Sequence, residues 1–145
     1  LYTPKEAKNK ILTDFSSNEL FSNKKIKLND IIQDNKFTIV NIWSSWCIPC
    51  KQEHSVLMDL KEKTNINIIG LNYKDKKNNA INFINKLGNP FSKILTDPDG
   101  VISISLGAYG VPETFLINNE SNVIRKYIGP LTHDNILEII NLIKS

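Results

Sequence analysis

The sequence predicts an α/β fold in which helices flank a central mixed β-sheet. Two apolar strand patterns enclose an amphipathic helix in the first half of the chain, and a β-hairpin pattern followed by a helix closes the second half. The order βαβ and then ββα combines a parallel pair of strands with antiparallel ones. One sheet of mixed strand direction is therefore expected.

The first half of this pattern covers residues 37–73. Residues 37–43 are β-branched and aromatic, as in a strand buried in a sheet, and residues 66–73 repeat that character. Between them, the apolar residues of 49–64 recur at helical spacing, with lysines off that stripe. A strand, a helix and a second strand in this order predict a parallel pair.

The second half is predicted from shorter patterns. Residues 114–117 and 123–128 flank a polar loop and predict a β-hairpin, and residues 136–143 predict a last helix. The complete order is typical of the thioredoxin fold with a helix and a strand inserted between its halves. The patterns between the halves predict a helix over 80–87, a strand at 94–95, a turn at 97–100 and a short helix over 101–106.

The N-terminal region is expected to belong to a single domain that covers residues 1–145, with residues 1–25 as an extension. Residues 3–6 have the form of a capping box with Pro at the first helical position, which predicts a helix through about Thr13. Residues 28–32 predict a further helical turn. Because the first residue is Leu1 and not Met, we also expect that an N-terminal segment was cleaved or omitted.

Composition argues against several classes of protein. The 145 residues carry a net charge of +3 with the basic residues spread along the chain, which does not predict a nucleic-acid interface. The sequence contains no run of about 18 apolar residues, the length that predicts a membrane span. Its two cysteines, Cys47 and Cys50, are too close to link distant parts of a fold, so they predict local chemistry.

Cys47 and Cys50 lie where the first predicted strand passes into its helix. The N-terminal end of a helix favours a thiolate through its dipole and its free N–H groups, which lowers the pKa of a thiol. Cys47 is therefore predicted to be an exposed nucleophile. Cys50, one turn further on, is predicted to resolve a mixed disulfide. The pair Cys47–Cys50 is thus a candidate redox-active disulfide.

Other uses of the cysteine pair remain open at this point. A structural disulfide that closes so short a loop removes little chain entropy. A metal site would draw on Cys47, Cys50, His54 and the distant His133, as in a copper- or zinc-binding module, but no second cysteine pair supports it. We therefore expect no metal and no cofactor, and we expect both histidines to be solvated.

Two further positions are candidates near the dithiol. Glu53 falls on the apolar stripe of its helix, so a partly buried carboxyl group there would exchange the proton of Cys50; a surface Glu that favours the helix start is an equally good interpretation. Pro112 stands just before a predicted strand, where thioredoxin folds carry a cis-proline that faces the dithiol. A cis bond would leave the backbone of Val111 free to pair with an extended substrate.

Several segments together carry a resemblance to a known family. The cysteine motif is followed by Asn-Tyr-Lys-Asp at residues 72–75 and by Tyr-Gly-Val-Pro-Glu-Thr-Phe at residues 109–115. With these segments, residues 41–131 closely resemble the CcmG/DsbE family, periplasmic thioredoxin-like reductases of c-type cytochrome maturation. General thioredoxins and the TlpA/ResA reductases usually lack this combination.

The resemblance implies a periplasmic domain tethered to the inner membrane. A transmembrane thiol reductant would recharge it, and it would pass electrons to disulfides of apocytochrome c or its thiol partner. Asn41 stands where thioredoxin has a buried Asp, which increases the need for other carboxylates. The expected site has Cys47 and Cys50 as catalytic thiols, Glu53 and Glu113 for proton transfer and tuning, and Trp46, Val111 and Pro112 for substrate binding.

Two alternatives to this function stay open. A general periplasmic disulfide reductase or oxidase of the TlpA/ResA type would share the same motif, because redox direction depends on potential and partners. A copper-delivery module is the alternative from another class of protein.

Overall fold

The structure is a computed structural model that describes residues 10–145. It contains a five-stranded sheet, a separate two-stranded sheet and five helices within that range. In chain order the elements are β1 (Ser16–Asn18), β2 (Lys25–Lys27), α1 (Leu28–Ile32), β3 (Phe37–Trp43), α2 (Ile48–Thr64), β4 (Asn67–Tyr73), α3 (Lys77–Leu87), β5 (Lys93–Asp97), α4 (Val101–Ser105), β6 (Glu113–Asn118), β7 (Val123–Ile128) and α5 (His133–Lys144).

The predicted α/β fold with a mixed sheet is confirmed. The strand order is β5-β4-β3-β6-β7, with β3 parallel to β4 and antiparallel to β6. The first half is β3-α2-β4 and the second is β6-β7-α5, as the patterns predict. The expected inserted helix and strand lie among α3, β5 and α4, which stand between these halves.

The N-terminal region differs from its prediction. Residues 1–9 of the predicted helix lie outside the described residues, but residues 10–13 are not helical. Ile11 forms an isolated antiparallel bridge with Asn122, and the N–H of Leu12 bonds to the carbonyl of Ser121 at 2.8 Å. The capping-box prediction is wrong for this part because the chain here pairs with the end of the hairpin instead.

A short hairpin that the sequence did not predict follows this segment. Strands β1 and β2 pair antiparallel, and the turn between them places Leu20 in the core with 1% of its surface exposed. The N–H of Leu20 bonds to the carbonyl of Ile94 at 2.8 Å. The hairpin therefore lies against β5 at one edge of the main sheet.

The two faces of the main sheet are covered by different helices, and this decides which side chains can meet. On one face, Ile39 and Leu116 pack with α2 and α5. On the other face, Val40 and Phe115 pack with α1 and the N-terminal segment. Because successive strand residues point to opposite faces, neighbours in sequence enter different cores.

Candidate active site

The dithiol lies at the start of α2, as predicted. Cys47 is the N-cap residue, with extended backbone angles, and its Sγ accepts a hydrogen bond from the N–H of Cys50 at 3.2 Å. Pro49 occupies the first turn, where a missing N–H costs nothing. Cys47 and Cys50 are joined as a disulfide, with their Cα atoms 5.3 Å apart.

The surface around the disulfide is apolar, and the sulfur atoms lie beneath it. Cys47 is only 4% exposed, so the prediction of an exposed thiol is wrong for the disulfide form. Trp46 and Ile48 flank it and are 56% and 69% exposed. A partner must therefore approach across these two side chains to reach Cys47.

Glu53 is buried on the helix face that carries Cys50, three residues earlier. Its Oε1 accepts a hydrogen bond from Asn41 Nδ2 at 2.8 Å, and its Oε2 accepts one from the N–H of Leu131 at 2.7 Å. Burial raises the pKa of this carboxyl to about 7, although both hydrogen bonds act in the opposite direction. Of the two interpretations of Glu53, the buried position is confirmed and the surface position is wrong.

Asn41 connects Glu53 to the neighbouring strand. Its Nδ2 also donates to the Thr114 hydroxyl at 3.0 Å, whereas its Oδ1 has no hydrogen-bond partner among residues 10–145. Position 41 on β3 is therefore neutral, and the buried carboxyl group of this site is that of Glu53 on α2. The sequence alone predicts that a neutral Asn41 increases the need for other carboxylates, but it does not predict the hydrogen bond from Asn41 to Glu53.

Glu113 lies on the opposite face of the sheet from Glu53. It pairs with Ile42 across β3 and β6, whereas the adjacent Thr114 points toward Glu53. One carboxylate oxygen of Glu113 accepts from the N–H groups of Tyr109 and Gly110, at 2.5 and 3.0 Å. The structure thus places the two acidic residues on opposite faces of the sheet, so they do not contact each other as a pair. The tuning of the dithiol by Glu113 stays a prediction.

Lys126 is a partner of Glu113 that the sequence analysis missed. Its Nζ lies 3.4 Å from Glu113 Oε1, and both side chains are largely buried. The signal in the sequence was weak, since a single lysine in a strand is usually solvated on the outer face.

The loop before β6 contains the predicted cis-proline. The Val111–Pro112 bond is cis, as expected, and Val111 packs against the cluster that contains Cys47 and Cys50. The N–H and carbonyl of Val111 make no hydrogen bond within the described part of the chain. They are therefore free to pair with another peptide.

A carboxylate that the sequence analysis did not select holds the turn ahead of the cysteines. Asp75 accepts hydrogen bonds from the N–H and the hydroxyl of Ser45 at 2.7 and 2.8 Å, and from Asn72 Nδ2 at 3.0 Å. Trp46 Nε1 donates to the carbonyl of Lys74 at 2.9 Å. The Asn-Tyr-Lys-Asp segment thus fixes the residues that precede Cys47.

His54 is not solvated, which corrects the prediction. It is 4% exposed, its Nε2 lies 2.7 Å from the carbonyl of Gly88, and its ring meets that of Phe83 edge-on. Burial lowers the pKa of this imidazole. His133 is exposed at the start of α5, as expected.

Two features of residues 10–145 bear on the alternatives. Among residues 10–145, no three His, Cys, Asp or Glu side chains are grouped so that they could hold a metal ion. Within the same range, none of the helices has both the length and the apolar character needed to cross a membrane.

Known proteins resemble this chain over most of its length. Residues 6–140 match the family model described as Redoxin. The thiol:disulfide interchange protein CycY of Rhizobium leguminosarum bv. viciae is 40% identical over 111 residues, which cover 77% of this chain and 60% of that protein. The thiol:disulfide interchange protein DsbE of Tatumella citrea is 43% identical over 98 residues, which cover 68% of this chain and 52% of that protein.

A solved structure shows the same fold. A DsbF homologue from Corynebacterium diphtheriae superposes with a TM-score of 0.82 at 22% identity, over 97% of this chain and 93% of that chain. The chain spans only 52–60% of the length of the two interchange proteins named above. The matches confirm the resemblance to DsbE-type proteins, and the chain belongs to the Redoxin family.

Proposed function

We propose that this protein is a thiol:disulfide oxidoreductase that reduces disulfides in a partner protein. The observation that carries the proposal is the dithiol at the start of α2 with the buried carboxyl of Glu53 on the same helix face. A structural disulfide does not need a carboxyl group whose pKa lies near neutrality. Proton transfer to and from a thiol does need such a carboxyl group.

The proposed reaction begins with the reduced dithiol. The Cys47 thiolate attacks one sulfur of the partner's disulfide, forms a mixed disulfide with it and releases the other sulfur as a thiolate, which takes a proton from water. Cys50 then loses its proton and attacks the Cys47 sulfur, which breaks the mixed disulfide and frees the second partner thiol. Two electrons pass to the partner, and Cys47–Cys50 ends as a disulfide.

Glu53 is proposed to accept the proton that Cys50 loses. Its pKa of about 7 means that both protonation states are populated at neutral pH. The N–H of Leu131 and the Asn41 amide stabilise the carboxylate form and so keep the group from being a permanent acid. The proton can later leave to the departing partner thiolate.

Substrate binding is proposed to use the free backbone of Val111 and the apolar surface of Trp46. An extended peptide can pair with the N–H and carbonyl of Val111 as an added strand does. Trp46 is held by its bond to the carbonyl of Lys74 and offers a flat face beside Cys47. Pro112 sets the direction of the chain between Val111 and β6.

For the pathway, we propose a role in c-type cytochrome maturation, with apocytochrome c or its thiol partner as substrate. The protein would act in the periplasm, tethered to the inner membrane and recharged by a transmembrane thiol reductant. The similarity to CycY and DsbE supports this assignment. So do the segments at residues 72–75 and 109–115 that carry the family resemblance.

Two measurements test the proposal. A Cys50→Ala variant should accumulate a mixed disulfide through Cys47 with its partner, whereas the matched Cys47→Ala variant should accumulate none. The reduction potential of the parent against glutathione should lie below about −200 mV, and a value near about −120 mV would instead identify an oxidase. A parent that exchanges with no disulfide at all would refute the function.

A further inference from the structure

A buried lysine is tied to the loop that leads to Val111. Lys126 Nζ donates a hydrogen bond of 2.8 Å to the carbonyl of Gly107 and lies 4.8 Å above the ring of Tyr109. Its side chain is 11% exposed, and that of its ion-pair partner Glu113 is 1% exposed. A cation so placed is poorly available to solvent and faces the loop directly.

Glu113 completes the attachment from the neighbouring strand. One of its oxygens faces Lys126, and the other accepts from the backbone N–H groups of Tyr109 and Gly110. The two charged side chains together bind three backbone groups of the loop at residues 107–110, which we call the clamped loop. The next residue is Val111, whose backbone groups have no partner in the described chain.

We propose that Lys126 is a positioning residue that, with Glu113, holds the clamped loop so that the Val111 backbone meets an extended substrate segment. The inference rests on the proposed thiol-disulfide exchange. The substrate class that it selects is a disulfide within an extended peptide, as opposed to a small disulfide that has no backbone to pair.

A purely stabilising role fits the geometry less well. A buried ion pair contributes little net stability compared with apolar side chains of similar volume. The pair instead fixes the orientation of the loop backbone, because charge-assisted hydrogen bonds to backbone groups are short and angle-dependent. Among residues 10–145, the side chains of this pair otherwise contact only the clamped loop and aromatic rings, and they bond to no helix there.

The test mixes the full-length chain, reduced beforehand, with an excess of either of two disulfide substrates and follows a single turnover. No recycling reductant is then needed, and KM is taken as the substrate concentration that gives half the maximal rate. One substrate is a ten-residue peptide with an internal disulfide, and the other is the aromatic disulfide dithiobis(nitrobenzoate). Lys126→Met keeps the apolar stem and removes the charge. We expect its KM for the peptide to rise about tenfold, the loss of one charged hydrogen bond, with a much smaller change for the aromatic disulfide.

Arg125→Met is the matched control. It removes one positive charge from the adjacent position of β7, but Arg125 faces α5 and pairs with Glu138 on the other side of the sheet. We expect parental KM values for both substrates. A second readout follows the loop itself, since the amides of Tyr109 and Gly110 should exchange with solvent about tenfold faster in Lys126→Met and at the parental rate in Arg125→Met.

A double variant separates positioning from stability. Lys126→Met alone leaves the carboxylate of Glu113 buried without a partner, which can lower folding stability. Lys126→Met combined with Glu113→Gln removes that charge and should recover the melting temperature while the KM for the peptide stays raised. If the peptide KM returned to the parental value together with stability, Lys126 would be structural.

Two other outcomes would also overturn the inference. One is an equal loss for both substrates, and the other is no change for either substrate and no change in amide exchange. A parent protein inactive on both disulfides would refute the proposed function instead. The amide-exchange comparison would then still decide whether Lys126 holds the loop.

Discussion

Asn41 Nδ2 lies 2.8 Å from Glu53 Oε1, which joins the strand before the dithiol to the helix that follows it. The other oxygen of Glu53 accepts from the N–H of Leu131, in the segment before α5. Three parts of the fold therefore meet at one carboxyl group. Burial raises the pKa of that group and the two hydrogen bonds lower it, and the net result is a pKa of about 7.

Stability should depend on the protonation of Glu53. Its pKa rises from an ordinary 4.5 to about 7, so the folded state binds more protons than the unfolded state between these values. Folding stability is therefore lost as pH rises through this window, by about 3 kcal/mol at about 1.4 kcal/mol per pKa unit. Glu53→Gln should remove this slope and gain stability relative to the parent at pH 8 more than at pH 5.

Urea unfolding at both pH values measures this effect. Glu62→Gln is the matched control, since Glu62 is exposed on the same helix and should leave the slope intact. An unchanged slope in Glu53→Gln would mean that Glu53 is charged in the folded protein at both pH values.

A second carboxylate at position 41 should be costly at high pH. Asn41→Asp places one beside Glu53, and two buried like charges cannot both ionise without a large penalty. We expect a loss of several kcal/mol at pH 8 and a clearly smaller loss at pH 5, where the pair can hold a proton. Urea unfolding at the two pH values measures these losses. Equal losses would show that the carboxyl groups at positions 41 and 53 do not interact.

Asp75 should stabilise the turn ahead of Cys47. Asp75→Asn keeps the shape but removes the charge that receives the N–H and hydroxyl of Ser45, and we expect a loss of about 1.5–3 kcal/mol. Ser45→Ala, which removes only the hydroxyl, should cost less. Thermal unfolding ranks the variants, and the reverse order would show that the backbone bond from Ser45 matters little.

Cys47 should react before Cys50 when the dithiol is reduced. Its Sγ accepts the N–H of Cys50 at the start of α2, an arrangement that favours a thiolate at Cys47 alone. Brief iodoacetamide treatment at mildly acidic pH should label Cys47 about tenfold more than Cys50. Fragmentation of the peptide that carries both cysteines locates the label, and preferential labelling of Cys50 would reverse the proposed roles.

The sequence was informative where one element alone decides the outcome. Cys47 is the N-cap of α2, and Cys50 and Glu53 lie within it. Helical spacing was therefore enough to place the cysteines at the start of the helix and Glu53 on the face that carries Cys50. Glu113 was different, because its partners depend on which face of β6 it occupies and on what β7 brings opposite. If β6 were shifted by one residue, Thr114 would point to the face that Glu113 now occupies, and Glu113 would point to the face of Glu53.

Other features depended on contacts between distant segments. Burial of His54 requires the carbonyl of Gly88 and the ring of Phe83, both from α3 and its end. The strand β1 exists only because β2 pairs with it, and neither has the length or alternation that predicts a strand by itself. Asp75 looked like part of a family signature, and only the fold shows that its carboxylate receives Ser45.

The small hairpin β1-β2 has a consequence for association between molecules. β5 is an outer strand of the main sheet, and its unpaired N–H and carbonyl groups would otherwise offer a template for another chain. Glu19 bridges Leu95 there, and the Thr96 hydroxyl bonds to the carbonyl of Asn18. A chain shortened to begin after residue 25 would expose this edge of the sheet and remove Leu20 from the core cluster that also holds Cys47 and Cys50, so it should self-associate through β5.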